Sequence, residues 1–164
     1  MISNREYSAL VEKGEYPEDP IVPIDPPFVN QNGSIINLLT ERFTHVAMLN
    51  SPDGAVRANH YHKTDWHYSY VLRGTMHYYF RRAGSRQRPR MIEVRPGMMV
   101  FSPPLVEHGK FFVGSSQYMT FAKNERSDHA IHEADLVRVP LIKAEWSPAQ
   151  GRWMDVLDPL AVDE

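Results

Sequence analysis

From Gly33 onward the chain alternates short apolar runs, rich in β-branched and aromatic residues, with turn sequences. The runs are SIINLLT, FTHVAMLN, HYSYVLR, TMHYYFRR, RMIEV, MMVFS, KFFVG and QYMTFA; PDG, RGT, AGS, RPG, SPP and VGSS stand between them. In a stretch such as FTHVAMLN alternate side chains share one face, which is the signature of a strand buried on one side. Strands this short at this spacing predict an all-β protein, a single antiparallel barrel or sandwich over residues 33–125. The chain shows no internal repeat, so the pattern predicts one barrel and no tandem pair.

The two ends read differently. Ser3 and Glu6 have capping-box spacing, and Tyr7, Leu10 and Val11 form a short apolar stripe, so a helix of about two turns is expected to stop near Gly14. EYPEDPIVPIDPPF then carries five prolines from Pro17 to Pro27. Proline removes a backbone donor and fixes φ, which excludes a helix or a central strand and predicts an extended arm lying on another surface, a second subunit being one candidate. Residues 1–32 thus form a helix and arm. After Ala122 the chain turns polar, and Ser147-Pro148 predicts the start of a second helix over Gln150 to Leu157, within an extension of residues 126–164.

Composition narrows the function classes. The 164 residues suffice for one domain with a sizeable core, 42% are apolar and 23% charged, and the net charge of −2 gives no electrostatic case for nucleic acid or a membrane surface. Arg81, Arg82, Arg86, Arg88 and Arg90 read as a solvated hairpin connection in preference to a phosphate site. The absence of cysteine excludes disulfides, thiolate catalysis and cysteine-bound zinc. With no run long enough for a membrane span, the expectation is a soluble cytoplasmic protein.

The chemistry is concentrated in NHYHKTDWHYSYVLRG, Asn59 to Gly74, which holds His60, His62 and His67. His60 and His62 stand two apart on a predicted strand, so they project together at chelating spacing. His67 follows a four-residue loop and opens the next strand, where it can fold back opposite them. His108 stands at the end of a turn in RPGMMVFSPPLVEHGKFF. Imidazole binds zinc, copper, iron and nickel, so one divalent ion (Zn, Fe, Mn or Ni) on these histidines is expected. Neutral ligands leave that ion its full charge, which favours an anionic small-molecule substrate.

The spacing resembles the cupin superfamily. Gly54, His60, His62 and Gly74 match its first motif, with His67 where the family has Glu; Gly97, Pro103 and His108 match its second, with Leu105 in place of a glycine and Phe112 in place of the later Asn. The resemblance spans Gly54 to His108 and implies a small jelly-roll-like β-barrel. Within cupins, NGSIINLL followed by SPDGAVRANHYHKT, and FVGSSQYMTFAKNERSD further on, are similar to domains of activated-sugar and capsular-polysaccharide biosynthesis. That likeness implies a metal-supported epimerase or isomerase acting on a nucleotide-linked keto sugar. A metal-dependent dioxygenase or lyase on a small organic acid, and a non-enzymatic ligand sensor, fit the same residues.

His45, His77, His129 and His132 match no motif. His77 is the candidate acid–base group, because strand alternation can place it in the barrel. Arg57 and Asn124 are candidates for gripping a phosphate or a sugar hydroxyl near the mouth. If His67 points inward, Tyr68 and Tyr70 point outward as packing or dimer residues; with the proline-rich arm they predict a homodimer.

Overall fold

The structure is a computed structural model describing residues 1–161. Its elements are α1 (Asn4–Lys13), β1 (Ile21–Val22), β2 (Phe28–Asn30), β3 (Gly33–Ile35), β4 (His45–Ser51), β5 (Val56–His62), β6 (His67–Arg82), β7 (Arg90–Val94), β8 (Met99–Ser102), β9 (Val106–Ala122), α2 (His129–Asp135), β10 (Leu136–Arg138), β11 (Ile142–Ser147) and β12 (Arg152–Leu157), then a 3₁₀ turn at Pro159–Ala161. The main sheet is antiparallel, in the order β1-β8-β6-β9-β5-β10, with β4 added to β9 and β7 to β6. This is the all-β barrel expected from the turn spacing.

The long strands β6 and β9 pair along their whole length, and the register breaks between Val71 and Thr75 fold the sheet on itself. Gly74, at φ 79°, sits in that fold; a Cβ there would lie 2.1 Å from Ser116 Oγ, so the bend tolerates only glycine. The first part of β6 pairs with β8 and the second with β7. Side chains from both parts, among them Val71, Met76, Tyr78, Phe80, Val100, Phe112 and Tyr118, meet in one buried cluster between the layers. That cluster is the barrel core.

Part of each outer face is covered by the chain's own ends. The expected capping box is present at Ser3 and Glu6, and Gly14 ends α1 in the left-handed region. Tyr7 and Val11 of α1 pack on Trp66, Tyr68, Met99 and Phe101. Tyr68 does point away from the His67 face, but it is fully buried beneath this helix and offers no dimer surface. The middle of the proline-rich arm is also used within the chain: Ile21 and Val22 pair with Val100 and Met99 at the edge of the main sheet, where flanking prolines cost no ladder bond.

Three expectations need correction. The helix over Gln150 to Leu157 is instead the second strand of the β11–β12 hairpin, with Trp146 opposite Trp153 and Gly151 N–H donating to Ser147 O in the turn. Ser-Pro there opens a turn, and cross-strand aromatic pairing outweighs the helical reading. The C-terminal helix lies earlier, at α2, capped by the Asp128 carboxylate. SIINLLT contributes only Ser34 and Ile35 to a strand, β3, which pairs with Phe28–Asn30 in a separate hairpin outside the main sheet. Conversely, β1 and β10, from the arm and the extension, join the barrel sheet.

Candidate metal centre

The four motif histidines converge inside one end of the barrel. Ring centroids are 4.9 Å apart for His60–His62 and His60–His108, 5.0 Å for His67–His108 and 5.4 Å for His62–His67. A bulge makes this possible. Arg57 pairs with Lys110 and Ala58 with Gly109, then the register jumps to His60 opposite His108. The extra residue sits at Ala58 and Asn59, both left-handed at φ 66° and 54°. It resets the alternation so that His60 joins His62 and His108 on the inner face.

Within the cluster, His60, His62 and His108 have ring nitrogens within 4.8 Å of one another. His62 Nδ1–H donates to Asp135 Oδ2 at 3.1 Å and His108 Nδ1–H donates to Val106 O at 3.0 Å. That fixes both tautomers and leaves each Nε2 with a lone pair; both Nε2 atoms are buried without a hydrogen-bond partner. A buried lone pair without a donor costs about 1–3 kcal/mol. Two of them beside a third imidazole, each ring oriented through its other nitrogen, fit a cation held by nitrogen ligands. Burial above all holds these rings neutral, taking His60 to about 3 and His62 to about 4, with His108 well below the usual histidine range.

His67 touches the cluster but has no free nitrogen. Arg126 Nη2 lies 3.3 Å from its Nδ1 and Lys110 Nζ lies 3.2 Å from its Nε2. Guanidinium only donates, so Nδ1 accepts and Nε2 carries the hydrogen. Nε2–H therefore donates to Lys110, which must be a neutral amine; Lys110 in turn donates to Ser69 Oγ at 2.8 Å. Burial, followed by the Arg126 and Arg57 charges, brings Lys110 down to about 7, in keeping with that arrangement. The geometry thus gives a three-histidine set with a His67–Lys110 pair beside it.

Sequence reasoning missed Lys110, Asp65, Arg126 and Asp135. Lys110 was within reach, since it follows His108 by two on the same strand face. Asp135 arrives on α2, where it also accepts from Thr64 N at 2.9 Å and Asp65 N at 3.1 Å, clamping the loop between β5 and β6. Asp65, 1% exposed, accepts from Arg126 Nη2 at 2.6 Å and from Asn124 N at 2.9 Å. No local spacing announces these distant partners.

The remaining candidates are dispersed. His77 lies on the opposite face of β6 from Tyr78, which packs on His108; its Nδ1 is 2.6 Å from Asp155 Oδ2 beneath the C-terminal hairpin. Alternation therefore carries His77 out of the barrel, and it cannot serve as the acid–base group there. Arg57 shares the inner face with Lys110, yet its guanidinium donates to Ser51 Oγ and Asn50 O, tying β5 to β4. Asn124 stands near the histidine end, donating to Thr64 Oγ1 at 3.3 Å. His132 is 5.8 Å from His62 between ring centroids, and His45 faces Glu125 at 3.9 Å.

The arginine-rich connection is exposed at Arg82, Arg88 and Arg90, as expected of a solvated turn. Arg82, Arg88 and Arg90, with Tyr16, Phe80 and Leu105, line a cleft of ≈ 800 Å³ whose wall includes Tyr78. Arg90 lies over the Phe80 ring at 5.1 Å. Leu105, at the glycine position of the second motif, keeps a left-handed φ of 59°, and its N–H donates to His62 O. The turn thus adopts a glycine-like backbone without a glycine.

Neither a protein-family model nor a curated protein sequence matches the chain. Among solved structures it is similar to a 3,4-ketoisomerase from Helicobacter canadensis, at 13% identity and TM-score 0.60 over 74% of this chain and 90% of that one. It is similar to ChmJ, a 3'-monoepimerase from Streptomyces bikiniensis in complex with dTDP-quinovose, at 14% identity and TM-score 0.58 over 71% and 67%. CapF, a capsular polysaccharide assembling protein from Staphylococcus aureus, matches at 18% identity and TM-score 0.53 over 71% of this chain and 32% of that one. At these identities the likeness shows the fold alone, an antiparallel β-barrel shared with these structures.

Proposed function

We propose that this chain is an isomerase or epimerase of nucleotide-linked keto sugars, acting by proton transfer next to a carbonyl. The observation that carries the reading is the buried histidine cluster, with its two unpartnered Nε2 atoms, inside a barrel folded like a ketoisomerase and an epimerase. His60, His62 and His108 would hold one divalent ion, whose chemical contribution is to polarise a carbonyl oxygen. His67 and Lys110 supply the proton-moving pair: Lys110, a neutral amine beside His67, takes up a proton from a carbon made acidic by the adjacent carbonyl once its lone pair is released from the His67 N–H. Return of that proton to the other face inverts the carbon. Its delivery instead to the former carbonyl carbon, with loss of the hydroxyl proton on the first carbon, shifts the keto group. Tyr78, fully buried and packed on His108, puts an apolar wall beside the cluster.

The substrate's anionic part fits the cleft at Arg82 and Arg88, which no carboxylate among the described residues engages. Both chemical outcomes share one observable, exchange of the carbon-bound hydrogen with solvent. The protein loaded with divalent metal and given nucleotide-linked keto sugars in heavy water is expected to incorporate deuterium beside the carbonyl, and His108→Ala is not. A folded, loaded protein that exchanges no hydrogen in any such sugar overturns the reading; bound iron together with oxygen consumption would replace it by a dioxygenase.

The same reading includes a homodimer. Of the surfaces first expected to form it, Tyr68 and Ile21–Val22 are used within the chain; the β2–β3 hairpin leaves Phe28 60%, Val29 67% and Ile35 59% exposed, and Val46 and Met48 of β4 are exposed at 49% and 58%. A two-stranded hairpin is marginal alone. A second copy packed on these residues supplies the missing cover. No helix among the described residues is long and apolar enough to cross a membrane.

A further inference from the structure

We infer that Asn59 is a positioning residue for His60, and that the C-terminal hairpin acts through it on the histidine cluster; this rests on the role proposed above for His60. The bulge at Ala58 and Asn59 is what turns His60 inward, yet two consecutive left-handed residues other than glycine are unfavourable. Something outside the strand must hold them. Asn59 Nδ2–H donates to Ile142 O at 2.8 Å, and Ile142 N–H donates to Asn59 Oδ1 at 3.2 Å. The side chain thus closes a two-bond ring on the backbone of β11, while Val139 N–H donates to Asn59 O at 2.9 Å.

Space for this clamp is made on β9. A Cβ at Gly109 would lie 2.8 Å from Asn59 Oδ1 and 2.9 Å from Ile142 Cγ1, so Gly109, between His108 and Lys110, is the gap through which Asn59 reaches the hairpin. The hairpin is itself anchored. Ile142 and Leu141 are buried against Phe111, and Asp155 accepts from Tyr79 Oη at 2.6 Å beside its contact with His77. His77 therefore contributes to the hairpin's seat and not to the barrel chemistry.

The test uses the full chain stripped of metal and titrated with cobalt(II), whose visible absorption responds to the number of imidazole ligands. Asn59→Gly keeps the left-handed backbone available and removes only the clamp. It is expected to weaken cobalt binding by about 10- to 100-fold and to shift the spectrum toward that of His60→Ala. Independently of metal, His60 should react faster with diethyl pyrocarbonate in Asn59→Gly, resolved by peptide mass spectrometry, while His62 and His108 stay protected. Asn59→Asp, which keeps the acceptor and loses the donor, should show the same changes in smaller measure and carries the test if the glycine variant does not fold. A variant with wild-type spectrum and wild-type His60 reactivity, or one in which all three histidines become reactive together, overturns the inference. If the wild type takes up no cobalt, the metal reading fails and the modification pattern alone decides the role of Asn59.

Discussion

Acid should unfold this protein early, and the histidine cluster sets the size of the effect. Burial lowers His62 from the ordinary 6.5 to about 4 and His60 to about 3. For a group depressed in the folded state, the stabilisation is complete above the unfolded value and is lost as pH falls toward the folded value. The window therefore opens near pH 6.5 and closes near pH 4 for His62. At pH 5 the unfolded chain has bound a proton at His62 that the folded chain refuses. With about 1.4 kcal/mol per pH unit, that costs about 2 kcal/mol, and His60 adds a comparable amount. His67 and His108, also lowered by burial, push the same way. A combined loss of about 4 kcal/mol is a large part of the 5–15 kcal/mol typical of a domain. Urea melts of metal-free protein between pH 7.5 and pH 5 read it directly. Stability should fall gently between pH 7.5 and 6.5, where Lys110 still binds fewer protons than in the unfolded chain, and steeply below, and His62→Gln should remove about 2 kcal/mol of the pH-dependent loss. Stability that changes by under about 1 kcal/mol across this range would refute the account, because the histidines would then titrate alike in both states.

Other consequences are simpler to check. His60→Ala and His108→Ala should each lose most bound metal by elemental analysis, whereas His67→Glu should retain it, its carboxylate sitting between Lys110 and Arg126. Leu105→Gly should raise stability by about 0.5–1 kcal/mol, since it relieves a left-handed leucine that is 54% exposed, offset by the looser unfolded chain. Arg88→Ala should weaken binding of a nucleoside diphosphate about tenfold in calorimetry without altering the thermal midpoint. Light scattering at micromolar concentration should show a dimer, and Val29→Lys should shift it toward monomer; a monomeric wild type contradicts the proposed face.

Much of the barrel was legible because its causes are local. Alternating apolar positions and glycine-bearing turns determine strands without knowledge of their partners, and Ser3, Glu6 and Gly14 suffice to cap α1. The histidine spacing was likewise enough to select His60, His62, His67 and His108 as one group, since strand periodicity places each on a predictable face. Periodicity also failed where the backbone departs from it. A strict period-two reading puts Arg57 and His60 on opposite faces, and only the Ala58–Asn59 bulge unites them. Face assignment decided the fate of His77 as well: the register of β6 sends Tyr78 inward and His77 outward to Asp155. The division of four histidines into three with a common centre and one locked by Lys110 and Arg126 depends on contacts across 43 and 59 positions. Those contacts, like Asp135 on His62 and Ile142 on Asn59, come from segments folding back over the barrel. Strand periodicity is written residue by residue, whereas the state of a buried polar atom depends on whichever distant group reaches it once the layers close.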